Sequence, residues 1–213
     1  HKTLSSVSLE ALQTLLASVE FHPFFAVIAP IIILNLMVPI VLRSYRGMVM
    51  REITTIFAAL YFGWFLAHTI LLRNLPNGLE LTTFFLIVVV ANDVGAYTAG
   101  RAFGSHKLLP EISPKKTWEG FFGGISGSLL ASAGFSFLLA DLTFPLVLGA
   151  GLVISLTAPF GDLIVSVIKR DMNRKDASAL IPGHGGLLDR ADSIILSAPN
   201  YYYYLVLLRS LAS

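Results

Sequence analysis

The sequence contains no cysteine and few charged residues. Without thiols, disulfide bonds and thiolate catalysis are both excluded. Charged residues make up 13% of the chain, well below the roughly 25% that is usual in soluble domains. Hydrophobic residues reach 55%, which gives more apolar surface than a soluble core of this length could bury. The composition therefore favours a protein embedded in a lipid bilayer, and we expect no nucleic-acid partner.

Long apolar runs divide the chain into segments that predict membrane spans. Each is about 19 residues or longer, which is enough to cross a hydrocarbon core of roughly 30 Å. Residues 1–22 have a looser helical periodicity, which favours an interfacial segment or the remnant of an earlier span. The fold class predicted from these runs is all-α, a polytopic transmembrane helical bundle of about six spans. The predicted spans cover residues 24–42, 54–72, 81–100, 119–140, 144–168 and 189–208.

Lysine and arginine residues are unevenly distributed between the predicted loops. Only Lys2, Arg73 and Arg209 fall on one side of the predicted membrane. The other side carries Arg43, Arg46, Arg51, Arg101, Lys107, Lys115, Lys116, Lys169, Arg170, Arg174, Lys175 and Arg190. Because loops rich in lysine and arginine stay in the cytoplasm, we predict that this side is cytoplasmic, or its equivalent in an organelle. Both ends of the chain are then expected on the opposite side.

Acidic residues lie near the same predicted face, at or just inside the ends of apolar runs. Asp93 lies within such a run, where a charge is costly and by default marks a functional site. Asp162 lies near the end of the fifth span, and Asp189 and Asp192 share one face at the start of the last. Together they predict a polar, cytoplasm-facing cavity with a divalent metal, for which Mg²⁺ is the natural candidate. The alternative is that each acid only neutralises a nearby cation.

The fifth predicted span contains Pro159 and Gly161 shortly before Asp162. A proline inside a helix removes a backbone hydrogen bond, and a glycine weakens the same turn. We therefore predict a broken helix at this point. Broken backbone in a membrane is tolerated only where it is buried or lines a cavity, so the break also favours a cavity beside Asp162.

The most polar long segment of the chain covers residues 166–193. Its cations come in the pairs Lys169-Arg170 and Arg174-Lys175, and such cations suit phosphate groups. A turn with the sequence Pro182-Gly183-His184-Gly185-Gly186 follows, and its glycines let backbone amides approach an anion. The histidine could donate to a phosphate or serve only the structure of the turn. The cations could equally anchor the chain to anionic lipid headgroups.

The spacing of this polar segment resembles the signature of the phosphatidate cytidylyltransferase family, also called CDP-diacylglycerol synthases. The resemblance covers roughly Phe84 to Ser193, and members of that family often have further spans before this region. We therefore expect that an amino-terminal part precedes the chain as given. The matching elements are Ser166-x-x-Lys169-Arg170, Lys175-Asp176, Pro182-Gly183-His184-Gly185-Gly186, Asp189-Arg190-x-Asp192, Ser113-Pro114-Lys115-Lys116-Thr117-Trp118-Glu119-Gly120 and Asn92-Asp93-x-x-Ala96-Tyr97.

The resemblance implies an enzyme that makes CDP-diacylglycerol and pyrophosphate from CTP and phosphatidic acid, for phospholipid biosynthesis. Residues 81–213 would form the catalytic transmembrane domain, after two spans within residues 23–80. The cofactor implied is Mg²⁺, and a second, monovalent cation is not excluded. Assembly into a homodimer is also left as an alternative. The implied metal ligands are Asp162, Asp189 and Asp192. The residues assigned to catalysis are Lys169, Arg170, Lys175, Asp176 and His184. The residues assigned to substrate binding are Asp93, Lys115, Lys116, Arg174, Gly185 and Gly186.

Other kinds of protein share parts of this pattern. A CTP-dependent lipid-alcohol kinase, such as a dolichol kinase, would use the same nucleotide at the same membrane surface. A membrane anion transporter would also gather cations, but it needs polar residues along the whole span, and here the far halves of the spans are apolar. A CDP-alcohol phosphotransferase is disfavoured because its D-G-x-x-A-R aspartate pattern is absent from the sequence.

Overall fold

The structure is a computed structural model that describes residues 23–41, 43, 46–171 and 188–212. The chain forms two compact units, His1–Leu60 and Tyr61–Ser213. In the first unit, helix α1 (Pro23–Val41) contacts helix α2 (Met48–Ala58). The predicted amino-terminal segment, residues 1–22, lies outside the described residues.

The second unit is a helical bundle, which confirms the predicted fold class. A π-helical segment, Ala59–Trp64, joins α2 to this bundle. One short 3₁₀ turn, Ser136–Leu139, follows helix α5. The elements of the bundle are α3 (Phe65–Asn74), α4 (Gly78–Phe103), β1 (Lys107–Leu109), β2 (Ser113–Thr117), α5 (Trp118–Gly134), α6 (Phe144–Asp171) and α7 (Leu188–Ala212).

Strands β1 and β2 form an antiparallel hairpin where the sequence predicts only a polar loop. Pro110 begins the turn, and the N–H of Ile112 donates to the carbonyl of Leu109 at 3.2 Å. Strands of this length are too short to show a two-residue periodicity, which explains why the sequence gives no strand signal. The hairpin leads directly into α5, whose first turn is capped by the Thr117 hydroxyl accepting from the N–H of Gly120 at 3.1 Å.

Within the described residues, three helices are long and apolar enough to cross a membrane, Met48–Asn74, Gly78–Phe103 and Phe144–Asp171. A shorter apolar stretch, Ala29–Val38, lies in α1. These lengths and compositions are those of a membrane protein. Every predicted span overlaps a helix, and crossing of the bilayer by α1, α5 and α7 stays a prediction.

A buried apolar core joins α3, α4, α6 and α7. The Phe85 ring stacks on Tyr201 with the ring centroids 5.6 Å apart. Leu72, Phe84 and Ile154 are fully buried around this pair. Because this core stabilises the bundle, the ends of the helices outside the core can carry polar and charged residues.

Helices α4 and α5 pack closely through glycines. A Cβ atom added at Gly127 would lie 2.6 Å from the carbonyl oxygen of Ala91 and 3.3 Å from the Cα of Gly95. Gly123 has equally little room, since its Cβ would overlap the side chain of Ala99. Small residues of this kind let helix backbones approach each other in a membrane.

Replacing Gly127 by Ala is therefore expected to destabilise the protein. An extra methyl group in a tightly packed contact typically costs about 1–3 kcal/mol, which exceeds the roughly 1 kcal/mol that alanine gains in a helix. Gly134→Ala is the matched control, because a Cβ there meets nothing within 4 Å. The midpoint of thermal unfolding in detergent should fall for Gly127→Ala and hold or rise for Gly134→Ala. Equal midpoints for both variants would contradict the packing argument.

Helix α6 continues through Pro159 without a break, so the predicted broken helix is wrong. Side chains from neighbouring elements bond the backbone around the proline: Asn92 donates to the Ser155 carbonyl and Lys116 to the Pro159 carbonyl. Gly161 serves close packing instead, since a Cβ at this position would overlap the backbone carbonyl of Asp192 on α7.

Contacts within the second unit group its loops at two ends. The Arg209 guanidinium donates to the carbonyl of Pro76 at 3.0 Å, and the Asn77 side-chain amide donates to Asp141 at 2.6 Å. At the other end, Arg170 Nε donates to the carbonyl of Ile112 in the hairpin at 3.3 Å. Among the described residues of this unit, the loops that meet at each end belong to the same predicted set.

Candidate active site

A cavity of about 710 Å³ lies beside the β-hairpin in the second unit. Helices α4, α5, α6 and α7 and the hairpin all contribute to its lining. It is large enough for a nucleotide, because small-molecule sites typically range from about 300 to 1,000 Å³. The site is therefore assembled from distant parts of the chain, with each helix presenting its polar end.

Three aspartates from separate helices line this cavity, Asp93 on α4, Asp162 on α6 and Asp192 on α7. The carboxyl groups of Asp162 and Asp192 lie within hydrogen-bonding distance of each other. Ser193 links the other pair: its hydroxyl donates to Asp93 at 3.4 Å, and its backbone N–H donates to Asp192 at 2.7 Å. Carboxylates gathered this closely repel one another, so the arrangement favours a bound proton or cation.

Lys116 is the cation in direct contact with this acidic group. Its Nζ lies 2.7 Å from Asp162 Oδ2 and donates to the carbonyl of Pro159 at 3.3 Å. An ammonium group has three N–H donors, so these two contacts leave one for another acceptor. The side chain of Lys116 is 22% exposed, which keeps it accessible from the cavity.

The hairpin that carries Lys116 is fastened to α5. The Glu119 carboxylate accepts from the backbone N–H of His106 at 3.2 Å and lies 2.7 Å from its Nδ1. The backbone N–H of Trp118 donates to the carbonyl of His106 at 3.0 Å. Arg170 holds the other end of the hairpin through Ile112. These contacts fix the position of β2 relative to the acids.

The predicted site residues fall into three groups. Those that line the cavity are Asp93, Lys115, Lys116, Asp162, Lys169 and Asp192. Arg170 is not among the lining residues, and its guanidinium contacts the hairpin. Asp189 lies in the first turn of α7, but its side chain lies outside the described part of the chain, as do Arg174, Lys175, Asp176, His184, Gly185 and Gly186.

Several lining residues were not predicted as site residues. Asn92, Tyr97, Arg101 and Ser193 all face the cavity. The guanidinium of Arg101 donates to the Tyr97 hydroxyl at 3.1 Å. The spacing of Asp93, Tyr97 and Arg101, four residues apart on one helix, is the signal that could have revealed this face.

The donor set fits a hard divalent cation through its two closest carboxylates. Among the residues that the structure describes, no group of three or more His, Cys, Asp or Glu side chains is arranged to hold a metal ion. Asp162 and Asp192 provide carboxylate oxygens, and Mg²⁺ is bound through one or two such groups with waters and substrate phosphates. The residues present are therefore sufficient for Mg²⁺ in the company of a phosphate substrate.

Comparisons with known proteins agree with this chemistry. The model of the cytidylyltransferase family matches residues 3–208 of the chain. A phosphatidate cytidylyltransferase of Bacillus subtilis (strain 168) is 41% identical over 153 residues, which is 70% of this chain and 56% of that protein. One of Mycobacterium bovis is 39% identical over 154 residues, 72% of this chain and 50% of that protein. YnbB of Escherichia coli (strain K12), an uncharacterised protein, is 40% identical over 153 residues, 72% of this chain and 51% of that protein.

The chain thus spans about half the length of the curated relatives it matches. The family match, in contrast, extends over nearly the whole chain, from residue 3 to residue 208, and includes every described residue of the cavity. The chain belongs to the cytidylyltransferase family.

Proposed function

We propose that this protein transfers the cytidylyl group of CTP to phosphatidic acid, giving CDP-diacylglycerol and pyrophosphate. The observation that carries the proposal is the cavity in which Asp93, Asp162 and Asp192 meet Lys116. Acids for a metal and cations for phosphates are the parts that phosphoryl-transfer chemistry needs. The similar proteins from Bacillus subtilis and Mycobacterium bovis are named phosphatidate cytidylyltransferase, which is this activity.

The reaction is an exchange of one phosphorus–oxygen bond for another. A phosphate oxygen of phosphatidate attacks the α-phosphorus of CTP, and the bond from that phosphorus to the bridging oxygen of the β-phosphate breaks. Pyrophosphate leaves with the electron pair. No protein nucleophile is required, because the lipid phosphate is already an anion. Catalysis then consists of positioning and of neutralising the negative charge that collects on the phosphates.

The lining cations supply part of that neutralisation. Lys116 has one N–H left for a phosphate oxygen after its contacts with Asp162 and Pro159. Lys115, Lys169 and Arg101 add positive charge around the same space. These side chains attract the phosphates of an anionic substrate into the cavity. Because the carboxylates repel the same phosphates, the phosphates can lie against the acidic group only when a cation accompanies them.

Asp162 and Asp192 are the residues that would hold Mg²⁺. A divalent cation held there would supply charge neutralisation for the substrate phosphates. Asp93 contacts the pair through Ser193 and orients Asp192. The assignment of Asp189 as a further ligand stays a prediction.

The depth of the site suits one water-soluble and one lipid substrate. Asp162 precedes the end of α6 at Asp171 by a helical rise of roughly 13 Å. CTP must enter from water, whereas phosphatidate keeps its acyl chains in the bilayer and raises its phosphate only to headgroup depth. A site just inside the end of a membrane helix lets both phosphates meet. We accordingly place the active site on the cytoplasmic, or equivalent, face of a multi-pass protein.

The decisive experiment follows radioactive phosphate from CTP into lipid. The purified chain is incubated with Mg²⁺ and vesicles containing phosphatidate, with CTP labelled at either the α- or the γ-phosphate. We expect the α label in lipid and the γ label only in pyrophosphate. Transfer of the γ label to a lipid alcohol would identify a lipid kinase instead. Absence of both labels from lipid, or a phosphate flux across vesicles without CTP, would overturn the proposal.

The proposed orientation can be tested with single cysteines, because the chain has none of its own. Ser105 and Ser210 are both exposed and lie near opposite ends of the second unit. In sealed vesicles, Ser105→Cys and Arg46→Cys should react with an impermeant thiol reagent from the cytoplasmic side. Ser210→Cys should react only from the other side. Labelling of all three from one side would contradict the topology.

A further inference from the structure

The proline in α6 leaves one buried carbonyl without its helical donor. In a regular helix the N–H of residue 159 would donate to the carbonyl of Ser155, four residues earlier. Pro159 has no N–H, so this bond cannot form. Ser155 is fully buried, and a buried carbonyl without a partner costs free energy comparable to a lost hydrogen bond.

The side-chain amide of Asn92, on α4, meets this carbonyl. Its Nδ2 donates to the Ser155 carbonyl at 3.4 Å and to the Ser128 hydroxyl of α5 at 3.2 Å. An amide nitrogen carries two N–H groups, so both bonds can be made at once. Asn92 is 1% exposed. Gly124 leaves room for it, since a Cβ at that position would lie 3.1 Å from Nδ2.

The turn that follows the proline carries Asp162 and is held from the cavity side as well. Lys116 bonds both the Pro159 carbonyl and the Asp162 carboxylate. Helix α6 is therefore held by Asn92 in the turn before Pro159 and by Lys116 in the turn after it. We propose that Asn92 is a positioning residue: its amide replaces the donor that Pro159 lacks and so holds Asp162 opposite Asp192. The effect of Asn92 on turnover rests on the proposed function, whereas the effect of Asn92 on the stability of helix α6 does not.

The helix itself provides the first test. Asn92→Leu keeps nearly the same branched shape and removes the donor. Ser128→Ala is the matched control, because it removes the other partner of the same amide and leaves the Ser155 bond. In lipid nanodiscs, amide hydrogen exchange over residues 160–163 should become about tenfold faster in Asn92→Leu and change less than about twofold in Ser128→Ala. Equal rates in both variants would overturn the proposal.

A second variant makes the test specific to the proline. Pro159→Ala restores a backbone N–H that can donate to Ser155, so Asn92→Leu should have no further effect on exchange when added to it. If Asn92→Leu alone does not fold, recovery of folded protein in the double variant supports the proposal. Failure of the double variant to recover, or an undiminished effect of Asn92→Leu in the Pro159→Ala background, overturns it.

Turnover supplies a readout that a general packing defect would not give. We expect Asn92→Leu to lower kcat about tenfold while KM for CTP stays within about twofold, because Asp162 is displaced but the phosphate-binding cations remain. Ser128→Ala should keep kcat within about twofold. If the unsubstituted chain makes no CDP-lipid, the proposed function fails and the exchange measurements still decide the role of Asn92. If it is active and Asn92→Leu is equally active, the positioning role alone fails.

Discussion

Replacing Asp192 by Asn is expected to lower cytidylyl transfer at least about a hundredfold while thermal stability holds or increases. Asp192 is buried, and its carboxyl group lies against Asp162 with Asp93 close by. Asparagine keeps the size and the oxygen that accepts from Ser193 but removes the charge that a divalent cation requires. Without that cation, the charge of Asp192 is repelled by the neighbouring carboxylates, so the loss of this charge should stabilise the folded state.

A loss of activity without a loss of stability distinguishes a metal ligand from a structural residue, because replacing a structural residue would lower both. Asp141→Asn is the matched control, because Asp141 accepts from Asn77 at the far end of the bundle. That variant should keep activity within about twofold of the unsubstituted chain. The measurements are initial rates at several Mg²⁺ concentrations and the midpoint of thermal unfolding without metal. Normal turnover of Asp192→Asn at low Mg²⁺, or a loss of stability parallel to the loss of activity, would show that Asp192 does not act as proposed.

The sequence predicts the helices and the acidic end of the bundle well, because both depend on simple patterns. Apolar runs of sufficient length define the helices, and a carboxylate inside such a run, as at Asp93, marks a functional position. Asp162 and Asp192 follow from the same reasoning with the predicted orientation. Local composition therefore identifies these three acids as cavity residues, although it does not identify every residue that lines the cavity.

Features that depend on contacts between distant segments could not be predicted. Pro159 predicts a broken helix by local rules, yet the helix continues because Asn92, far away in sequence, bonds the Ser155 carbonyl. The hairpin likewise depends on its fastening to α5 through Glu119 and on its contact with Arg170. Only the folded arrangement shows that Arg170 holds the hairpin and does not line the cavity.

Replacing Lys116 by Met is expected to lower transfer by about 10- to 100-fold and to raise KM for CTP, because a cation next to the phosphates is lost. The side chain is partly buried and pairs with Asp162 at 2.7 Å. Its removal leaves that carboxylate without its partner, so stability should fall by about 1–2 kcal/mol after allowance for the partial exposure of both groups. Lys116→Met therefore lowers both quantities, whereas Asp192→Asn lowers activity alone.

Lys107 in the same hairpin provides the control, since it is exposed and does not line the cavity. Lys107→Met removes the same charge and should leave KM and kcat within about twofold. A combination with Asp162→Asn tests the pairing: once that carboxylate is neutral, Lys116→Met should no longer reduce stability, because no charge is left unpaired. If Lys107→Met weakened CTP use as much as Lys116→Met, the effect would be one of overall charge. An increase in KM caused by Lys116→Met alone, together with loss of its effect on stability in the Asp162→Asn background, would assign this lysine to both the substrate phosphate and the carboxylate.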